Sequence, residues 1–424
     1  MTVLESARLS ALRQSARELS GLRDPTATLA WSKLLERLPE DAEAANALGN
    51  LALAAGDAQG ACHYLNIASR SDPGQPALLF NLSAAARAAG DLTGAMAALD
   101  QAMVADPYFV QAMFQRAILL EEFGDLRAAA RQFRDFLDTV PPEVEADAQF
   151  APALERARAS VQSDGAKLAA AIATAGLSPS RRISSSIAQL TTGAPVYRSE
   201  PTFLTVPELA SEPFLKRNEF PWLEQLEMAT AMIRDEALAL IGLNGNDPFV
   251  PYVANAPGTA LNQWRDLDHN PDWGALFLWK HGERNDANCV KLPQTAGLLA
   301  RLPLLHLTGR APNAFLSRIS PRTRIPPHNG VTNARVTIHL PLIVPAGCGL
   351  RVGSETREWQ IGKAWAFDDT IEHEAWNTSA EPRVILIFDV WNPRLEPAER
   401  SYLTQALAAY DLHYGQRRAD RDEF

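Results

Sequence analysis

Two histidines and an arginine in the C-terminal half have the types and spacing that could form a metal and anion site. His328 and His373 lie 45 positions apart, each at the edge of a strand-like segment, and Arg383 follows ten residues after the second histidine. Redox iron favours imidazole ligands with open coordination positions. A guanidinium pairs bidentately with a carboxylate. These residues therefore predict an iron site that also binds a dicarboxylate co-substrate, which favours an oxygenase over a scaffold.

The carboxylate that usually completes such an iron site is missing from its expected place. Oxygenase triads begin His-x-Asp or His-x-Glu, but the residue two after His328 is Gly330, which has no side chain. If a metal binds, water would have to fill that position. The missing carboxylate therefore weakens a prediction of a generic oxygenase that rests on spacing alone.

The strands around these residues have patterns that suit a lined cavity. Arg335, Thr337 and His339 alternate with apolar residues, so the polar side chains share one face of a strand. If the apolar face packs outward against a second sheet, the polar face lines a cavity. The run from Arg383 to Val390 is apolar on both faces except at its ends, which predicts a central strand with Arg383 at the mouth of that cavity.

The first third of the chain repeats with a period of 34 residues, which resembles the tetratricopeptide repeat. Each repeat has a Gly-Asp turn after its first helix, a small residue that lets the second helix pack closely, and a proline after the second helix. A helical spacer and a concave surface that holds a protein or peptide are equally compatible with this pattern. The matching positions are Gly56-Asp57, Gly90-Asp91 and Gly124-Asp125; Ala61, Ala95 and Ala129; Leu65, Leu99 and Phe133; and Pro39, Pro73, Pro107 and Pro141.

A chain of 424 residues is long enough for two or three domains. We predict a helical repeat domain over residues 1–165, a polar Ser-rich linker over 166–199, and a second domain over 200–424. From Phe315 onward, short runs of β-branched and aromatic residues broken by Pro and Gly predict an all-β sandwich or barrel. The fold class is therefore multidomain α plus β.

Composition excludes several classes of protein. An apolar content of 46%, a charged content of 21% and a net charge of −10 suit a globular protein and argue against a general nucleic-acid binder. The three cysteines are far apart and form no metal motif, which predicts a reducing compartment. No apolar stretch suggests a signal peptide or a membrane span, so we expect a cytoplasmic protein.

Residues of about 200–395 resemble the aspartyl/asparaginyl β-hydroxylase family of 2-oxoglutarate oxygenases. The resemblance implies a double-stranded β-helix, a cupin-like jelly roll, with flanking helices. That family is similar in lacking the carboxylate ligand and in having glycine there, so Gly330 supports the resemblance. The matching sequences are Phe220-Pro221-Trp222, Leu278-Trp279-Lys280-His281-Gly282, Pro327-His328-x-Gly330-x-Thr332-Asn333, His339-Leu340, His373-Glu374-x-Trp376 and Asp389-Val390-Trp391-x-Pro393.

The resemblance implies a role for each site residue. His328 and His373 match the Fe(II) ligands. Ser317 and Arg383 match residues that bind the 2-oxoglutarate co-substrate, with the arginine at its distal carboxylate. His339 matches a histidine near the proximal carboxylate.

Two further residues are expected to contact substrate, and one departs from the family pattern. Arg335 matches a basic position that could face a substrate carboxylate, and we also assign Trp279 to substrate contact. Thr337 stands where well-known animal members have a second arginine, which puts specificity for aspartyl residues in doubt.

The implied activity is hydroxylation of an aspartyl or asparaginyl residue of a protein or peptide, with O2 as co-substrate and the repeat region holding that partner. An alternative within the family is hydroxylation of a lipid acyl chain or a small metabolite. An alternative from another class is a scaffold whose β-domain senses 2-oxoglutarate or iron without catalysis.

Overall fold

The computed structural model describes residues 3–174, 180–242, 247–256, 258–260 and 262–414. The chain divides into two units, Met1–Ala194 and Pro195–Phe424. We describe each unit by itself.

Unit 1 is helical throughout its described residues. Helices that follow one another in the sequence pack against each other. This is typical of a repeat protein, in which each repeat contacts only the adjacent repeats. The helices are α1 Val3–Gly21, α2 Ala27–Arg37, α3 Ala42–Ala54, α4 Ala58–Ser71, α5 Pro76–Ala88, α6 Leu92–Ala105, α7 Val110–Glu122, α8 Leu126–Thr139, α9 Pro142–Glu145, α10 Ala151–Ala173 and α11 Arg181–Thr192.

The Gly-Asp turns separate the two helices of each repeat, as predicted. Each glycine has a positive φ of 82–83° that other residues rarely adopt, and each aspartate then caps the next helix. In the first repeat, Asp57 accepts a hydrogen bond of 2.8 Å from the backbone N–H of Gly60. Ala61 and Leu65 on that second helix are fully buried. The repeat pattern is therefore confirmed as a series of helix pairs.

Most of the described part of the predicted linker is helical. Helix α10 extends to Ala173, and α11 covers Arg181–Thr192, where the serines predicted an exposed loop. Apolar residues spaced for a helix face explain this difference. Gly165 of α10 also allows close packing, since a Cβ there would lie 1.7 Å from the carbonyl oxygen of Thr191.

Unit 2 contains two antiparallel sheets in its described residues. The larger has the strand order β1-β2-β4-β11-β6-β9, with β3 beside β2, and the smaller has the order β5-β10-β7-β8. The strands are β1 Val250–Pro251, β2 Trp273–Lys280, β3 Glu283–Arg284, β4 Ala314–Ile319, β5 Thr323–His328, β6 Arg335–Ile343, β7 Cys348–Val352, β8 Glu355–Glu358, β9 Trp365–Phe367, β10 His373–Asn377 and β11 Arg383–Trp391.

Helices cover one face of the larger sheet, and the smaller sheet faces the other. The helices of unit 2 are α12 Leu223–Met228, α13 Thr230–Gly242, α14 Asp286–Lys291, α15 Pro293–Leu299 and α16 Pro397–Tyr414. Val336, Ile338 and Leu340 of β6 pack in one cluster with residues of α12, α13 and α15. This apolar face is therefore covered by helices and not by the second sheet, the arrangement considered from the sequence. The polar face of β6 is the one that looks toward the smaller sheet.

No helix within the described residues combines the length and apolarity needed to cross a membrane.

Candidate metal and anion site

The functional residues predicted from the sequence, except Trp279, surround one cavity in unit 2. Its volume is about 110 Å³. It lies between the two sheets, whose facing apolar side chains form a common cluster around it. The predicted residues that line it are Ser317, His328, Arg335, Thr337, His339, His373 and Arg383.

His328 and His373 come together because their strands pair. The two residues are direct partners in the antiparallel ladder between β5 and β10, and their ring centroids lie 4.0 Å apart. The Nδ1 atom of His328 lies 2.8 Å from the carbonyl oxygen of Pro326, and that of His373 lies 3.1 Å from the carbonyl oxygen of Ile371. A carbonyl oxygen only accepts, so each Nδ1 carries the proton. Each Nε2 therefore presents the lone pair that a metal needs.

Both imidazoles are neutral at physiological pH. Burial lowers the pKa of His328 to about 3, with a further lowering from His373 beside it. Burial likewise lowers the pKa of His373 to about 4. Protons therefore do not compete with a metal for these nitrogens near neutral pH.

The position of the missing carboxylate ligand is filled by another residue. A Cβ at Gly330 would lie 2.4 Å from Cγ of Asp369 and 2.5 Å from each of its carboxylate oxygens. An Asp or Glu at 330 would therefore displace Asp369. Asp369 Oδ1 is buried without a hydrogen-bond partner within the described residues. Gly330 is thus required to make room for the Asp369 carboxylate, which sequence spacing did not indicate.

Arg383 is a buried cation with neutral neighbours. Its side chain is 1% exposed, and its NH1 group donates to the backbone oxygen and to Oγ of Ser317 at 3.3 and 3.4 Å. The guanidinium carbon lies 4.7 Å from the ring centroid of Trp359. In the described part of the chain, no carboxylate pairs with it and its Nε has no hydrogen-bond partner. Burial lowers the pKa of Arg383 to about 9.

Ser317 and His339 lie in the same part of the cavity. Ser317 is fully buried and also accepts a hydrogen bond of 3.4 Å from Nε1 of Trp273. Burial, together with the nearby charge of Arg383, holds the pKa of His339 well below its usual value. Nδ1 of His339 is buried and has no partner among the described residues. Unpaired polar atoms therefore converge beside Arg383.

Arg335 has its charge balanced by two acids. Its NH2 group lies 2.7 Å from Asp369 Oδ2, and its NH1 group lies 3.5 Å from Asp389 Oδ2. Burial acts to lower the pKa of Arg335, but the two carboxylates outweigh it and the pKa is raised. A substrate carboxylate would therefore have to displace an existing ion pair to reach this arginine.

Trp279 does not line the cavity. It packs in the cluster on the helix-covered face of the larger sheet, next to Leu278. A register shift between Phe277 and Trp279 interrupts the alternation of β2 and turns Trp279 away from the side that Trp273 and Ala275 occupy. The prediction that Trp279 contacts substrate is therefore not supported by its position.

Other aromatic residues, which sequence reasoning missed, form the wall beside the two histidines. Trp264 lies with its ring centroid 4.8 Å from that of His328, and Trp273 lies 6.4 Å from it. Tyr252 stacks on Trp273 at 4.0 Å. The alternation of β2, in which Trp273 is the first residue, could have identified Trp273. Nothing in the sequence singled out Trp264 or Tyr252.

No described group of three or more His, Cys, Asp or Glu side chains is arranged to hold a metal ion. The chemistry available here is instead a pair of neutral imidazoles near an anion-binding guanidinium. A conventional metal site would have presented a third protein side chain as a ligand.

Comparison with known proteins gives a consistent result. The sequence model of the aspartyl/asparaginyl β-hydroxylase family matches residues 227–393. The human aspartyl/asparaginyl β-hydroxylase is 37% identical over 183 residues, which are 43% of this chain and 22% of that protein. The aspartate β-hydroxylase domain-containing protein 2 of Xenopus tropicalis is 32% identical over 49% of this chain and 55% of that protein.

Another relative is named for a different substrate. The ornithine lipid ester-linked acyl 2-hydroxylase of Rhizobium tropici is 29% identical over 45% of this chain and 64% of that protein. The chain thus spans less than two thirds of each of these relatives, and only about a fifth of the human one. The matched segment contains both histidines and Arg383 in the arrangement described above. Residues 227–393 are therefore similar to the aspartyl/asparaginyl β-hydroxylase family, both by its sequence model and by these relatives.

Proposed function

We propose that unit 2 is an Fe(II)- and 2-oxoglutarate-dependent dioxygenase that hydroxylates an aspartyl or asparaginyl residue of a protein or peptide. We also propose that its two sheets form a double-stranded β-helix of the cupin kind. The observation that carries the functional proposal is Arg383, a buried guanidinium without an acid partner among the described residues, in the same cavity as two neutral imidazoles. An uncompensated buried charge is costly unless a ligand pairs with it.

The residues of this chain fit an iron ion with two protein ligands. Nε2 of His328 and Nε2 of His373 would hold it, because the carbonyl contacts leave those nitrogens unprotonated. Bound Fe(II) would supply the oxidative chemistry in which O2 and 2-oxoglutarate yield succinate and CO2 while one oxygen atom enters a substrate C–H bond. Asp369 occupies the side where a third ligand would come, and its Oδ1 is available as a hydrogen-bond acceptor there.

The surroundings of Arg383 fit the distal carboxylate of 2-oxoglutarate. Trp359 covers the guanidinium. Ser317 orients it from the side, and its hydroxyl is within reach of the same ligand. Two parallel N–H···O bonds from a guanidinium to a carboxylate are short and strong when both are removed from water. His339, buried and neutral with an unpartnered Nδ1, lies nearby to hold the other end of the co-substrate.

The substrate is proposed on two grounds. The human relative bears the name aspartyl/asparaginyl β-hydroxylase. The helix pairs of unit 1 supply a surface of the kind that holds peptides in repeat proteins. We propose that the partner of this surface is the protein that carries the target residue.

A lipid acyl chain is the second candidate, and the charge balance at Arg335 favours it. Asp369 and Asp389 already pair with Arg335, so the described lining offers a substrate carboxylate no unpaired cation except Arg383. Thr337 adds no charge beside it. The name of the Rhizobium tropici relative specifies acyl 2-hydroxylation of a lipid.

The test measures succinate formation by the full chain with Fe(II), 2-oxoglutarate and O2. One set of reactions receives peptides that contain Asp or Asn, and a separate set receives an acyl-lipid mixture. Mass spectrometry measures the masses of the products. The variants are His373→Ala and Arg383→Met, with His306→Ala at an exposed position of unit 2 as the matched control.

We expect wild type and His306→Ala to form succinate and to add one oxygen atom to a peptide, while both site variants form at most a hundredth as much. Oxidation of the lipid alone would move the substrate to the second candidate. Binding of iron and 2-oxoglutarate without succinate would overturn the enzyme proposal and leave a sensor.

A further inference from the structure

A short stretch of chain hydrogen-bonds to both of the loops that adjoin the candidate metal ligands. We call residues 199–206 the connecting segment, because it follows closely on the division between the two units. Loop 329–333 follows His328, and loop 368–372 precedes His373. The connecting segment lies outside residues 227–393, the part that matches the family.

The connecting segment bonds to the first loop through its backbone. The N–H of Thr202 donates to the carbonyl oxygen of Gly330 at 3.0 Å. The N–H groups of Phe203 and Leu204 both donate to the carbonyl oxygen of Val331, at 3.0 and 2.9 Å. The glycine that makes room for Asp369 is therefore held from outside by this segment.

Asn333 joins the same loop to the connecting segment through its side chain. Its Oδ1 accepts from the N–H of Val206 at 2.7 Å, and its Nδ2 donates to the carbonyl oxygen of Val206 at 2.8 Å. The residue is 5% exposed. A buried primary amide that bonds both backbone groups of one residue fixes the spacing of two chains.

The connecting segment also bonds to the second loop. The N–H of Glu200 donates to the carbonyl oxygen of Thr370 at 2.8 Å, and the hydroxyls of Ser199 and Thr370 are 2.7 Å apart. Asn329 of the first loop donates to that same carbonyl oxygen at 2.8 Å. Both loops and the segment therefore meet at Thr370, three residues before His373.

We propose that the connecting segment is a positioning element for the metal site: it holds loops 329–333 and 368–372 so that His328, Asp369 and His373 keep the geometry a two-histidine metal site requires. The inference rests on the proposed function. It follows from chemistry, because two protein ligands define a metal position only if both rings are fixed. Residues outside the matched family domain are thus part of the site, and they lie on the chain path from unit 1.

The test compares two proline substitutions in the full chain. Thr202→Pro removes the N–H that bonds Gly330. Thr205→Pro is the matched control, because none of the hydrogen bonds described between the segment and the two loops uses the N–H of Thr205. Asn333→Ala is a second variant that removes both bonds to Val206 without changing the backbone, and it decides the question if Thr202→Pro does not fold.

Three measurements are made on each protein. Hydrogen–deuterium exchange of the metal-free chain reports how firmly loops 329–333 and 368–372 are held. Titration with Mn²⁺ in a calorimeter reports metal affinity. Circular dichroism confirms that the helices of unit 1 are retained.

We expect Thr202→Pro and Asn333→Ala to exchange at least fivefold faster in both loops and to bind Mn²⁺ at least fivefold more weakly, while Thr205→Pro behaves like wild type. Wild-type exchange and affinity in Asn333→Ala would overturn the inference. Faster exchange in a chain that binds no Mn²⁺ even as wild type would leave the positioning of the loops intact and would refute the metal site itself.

Discussion

Arg335 and Arg383 lie toward opposite ends of one cavity with the same charge and opposite surroundings. Arg335 contacts the carboxylates of Asp369 and Asp389, whereas Arg383 contacts a serine and the face of a tryptophan. The two arginines are associated with distant parts of β11. Arg383 begins that strand, whereas Asp389, which pairs with Arg335, lies six residues, or about 20 Å, further along.

The difference teaches that burial of a cation does not by itself identify a ligand site. What matters is whether the protein supplies the opposing charge. Arg335 is part of an internal ion network, so its removal should affect folding. Arg383 has no acid partner among the described residues and is proposed to bind an anion, so its removal should affect binding of the co-substrate.

The largest expected effect breaks the ion network. Arg335→Met leaves two carboxylates buried beside an apolar side chain, so we expect the free energy of unfolding to fall by about 3–5 kcal/mol. Arg383→Met is the matched control and should be neutral or stabilising, because it removes a buried charge without an acid partner. Urea unfolding of the metal-free chain, followed by tryptophan fluorescence, measures both. Equal destabilisation by the two substitutions would erase the distinction.

The next effect concerns the two imidazoles, which share this cavity with the arginines. Unfolded histidine has a pKa of about 6.5, whereas burial lowers those of His328 and His373 to about 3 and about 4. Because the unfolded chain binds protons first as pH falls, the stability present above pH 6.5 should be lost progressively toward pH 4. Between pH 7 and 5 the loss should be about 2 kcal/mol per histidine.

Thermal unfolding of the metal-free chain at these pH values tests that expectation. His373→Gln should show a shallower dependence than wild type, since one of the two titrating groups is gone. A pH profile of His373→Gln that matches wild type would contradict the assigned pKa of that histidine.

A smaller effect separates charge from geometry at Arg383. Arg383→Lys keeps a cation but loses the planar fork, so we expect the half-saturating concentration of 2-oxoglutarate to rise about tenfold. Steady-state succinate formation measures it. Unchanged half-saturation would mean that the guanidinium does not bind the co-substrate in two-point fashion.

Much of this arrangement could be predicted from the sequence. The Gly-Asp turns recur because positive φ and a capping carboxylate are local requirements, and local requirements are visible in a repeat. His328, His373 and Arg383 could be singled out because two imidazoles suit a metal and a guanidinium suits a carboxylate. The apolar run after Arg383 also predicted a central strand, and β11 lies between β4 and β6.

The remaining features depend on contacts that no local pattern records. Trp273 lines the cavity, whereas a later break in the alternation of β2 places Trp279 behind the sheet. The Asp369 carboxylate fills the space beside Gly330 only because two loops meet. Strand β5 contains Pro326 and Pro327, which sequence propensities assign against a strand, but its pairing with β10 forms nonetheless.

The smallest effect concerns the partner of Arg383. Ser317→Ala should raise the half-saturating concentration of 2-oxoglutarate about threefold, because the backbone oxygen of Ser317 still accepts from the guanidinium. The same succinate measurement applies. A hundredfold change would assign the serine hydroxyl a larger part in co-substrate binding than its contacts support.

The central claim is that Arg383 is the binding site for the distal carboxylate of the co-substrate. Calorimetric binding of 2-oxoglutarate and of 2-oxobutyrate, which lacks that carboxylate, to the Mn²⁺-loaded full chain tests it most directly. We predict that wild type binds 2-oxoglutarate at least a hundredfold more tightly, and that Arg383→Met binds both ligands weakly and within threefold of each other. Retention of the full discrimination in Arg383→Met would contradict the claim.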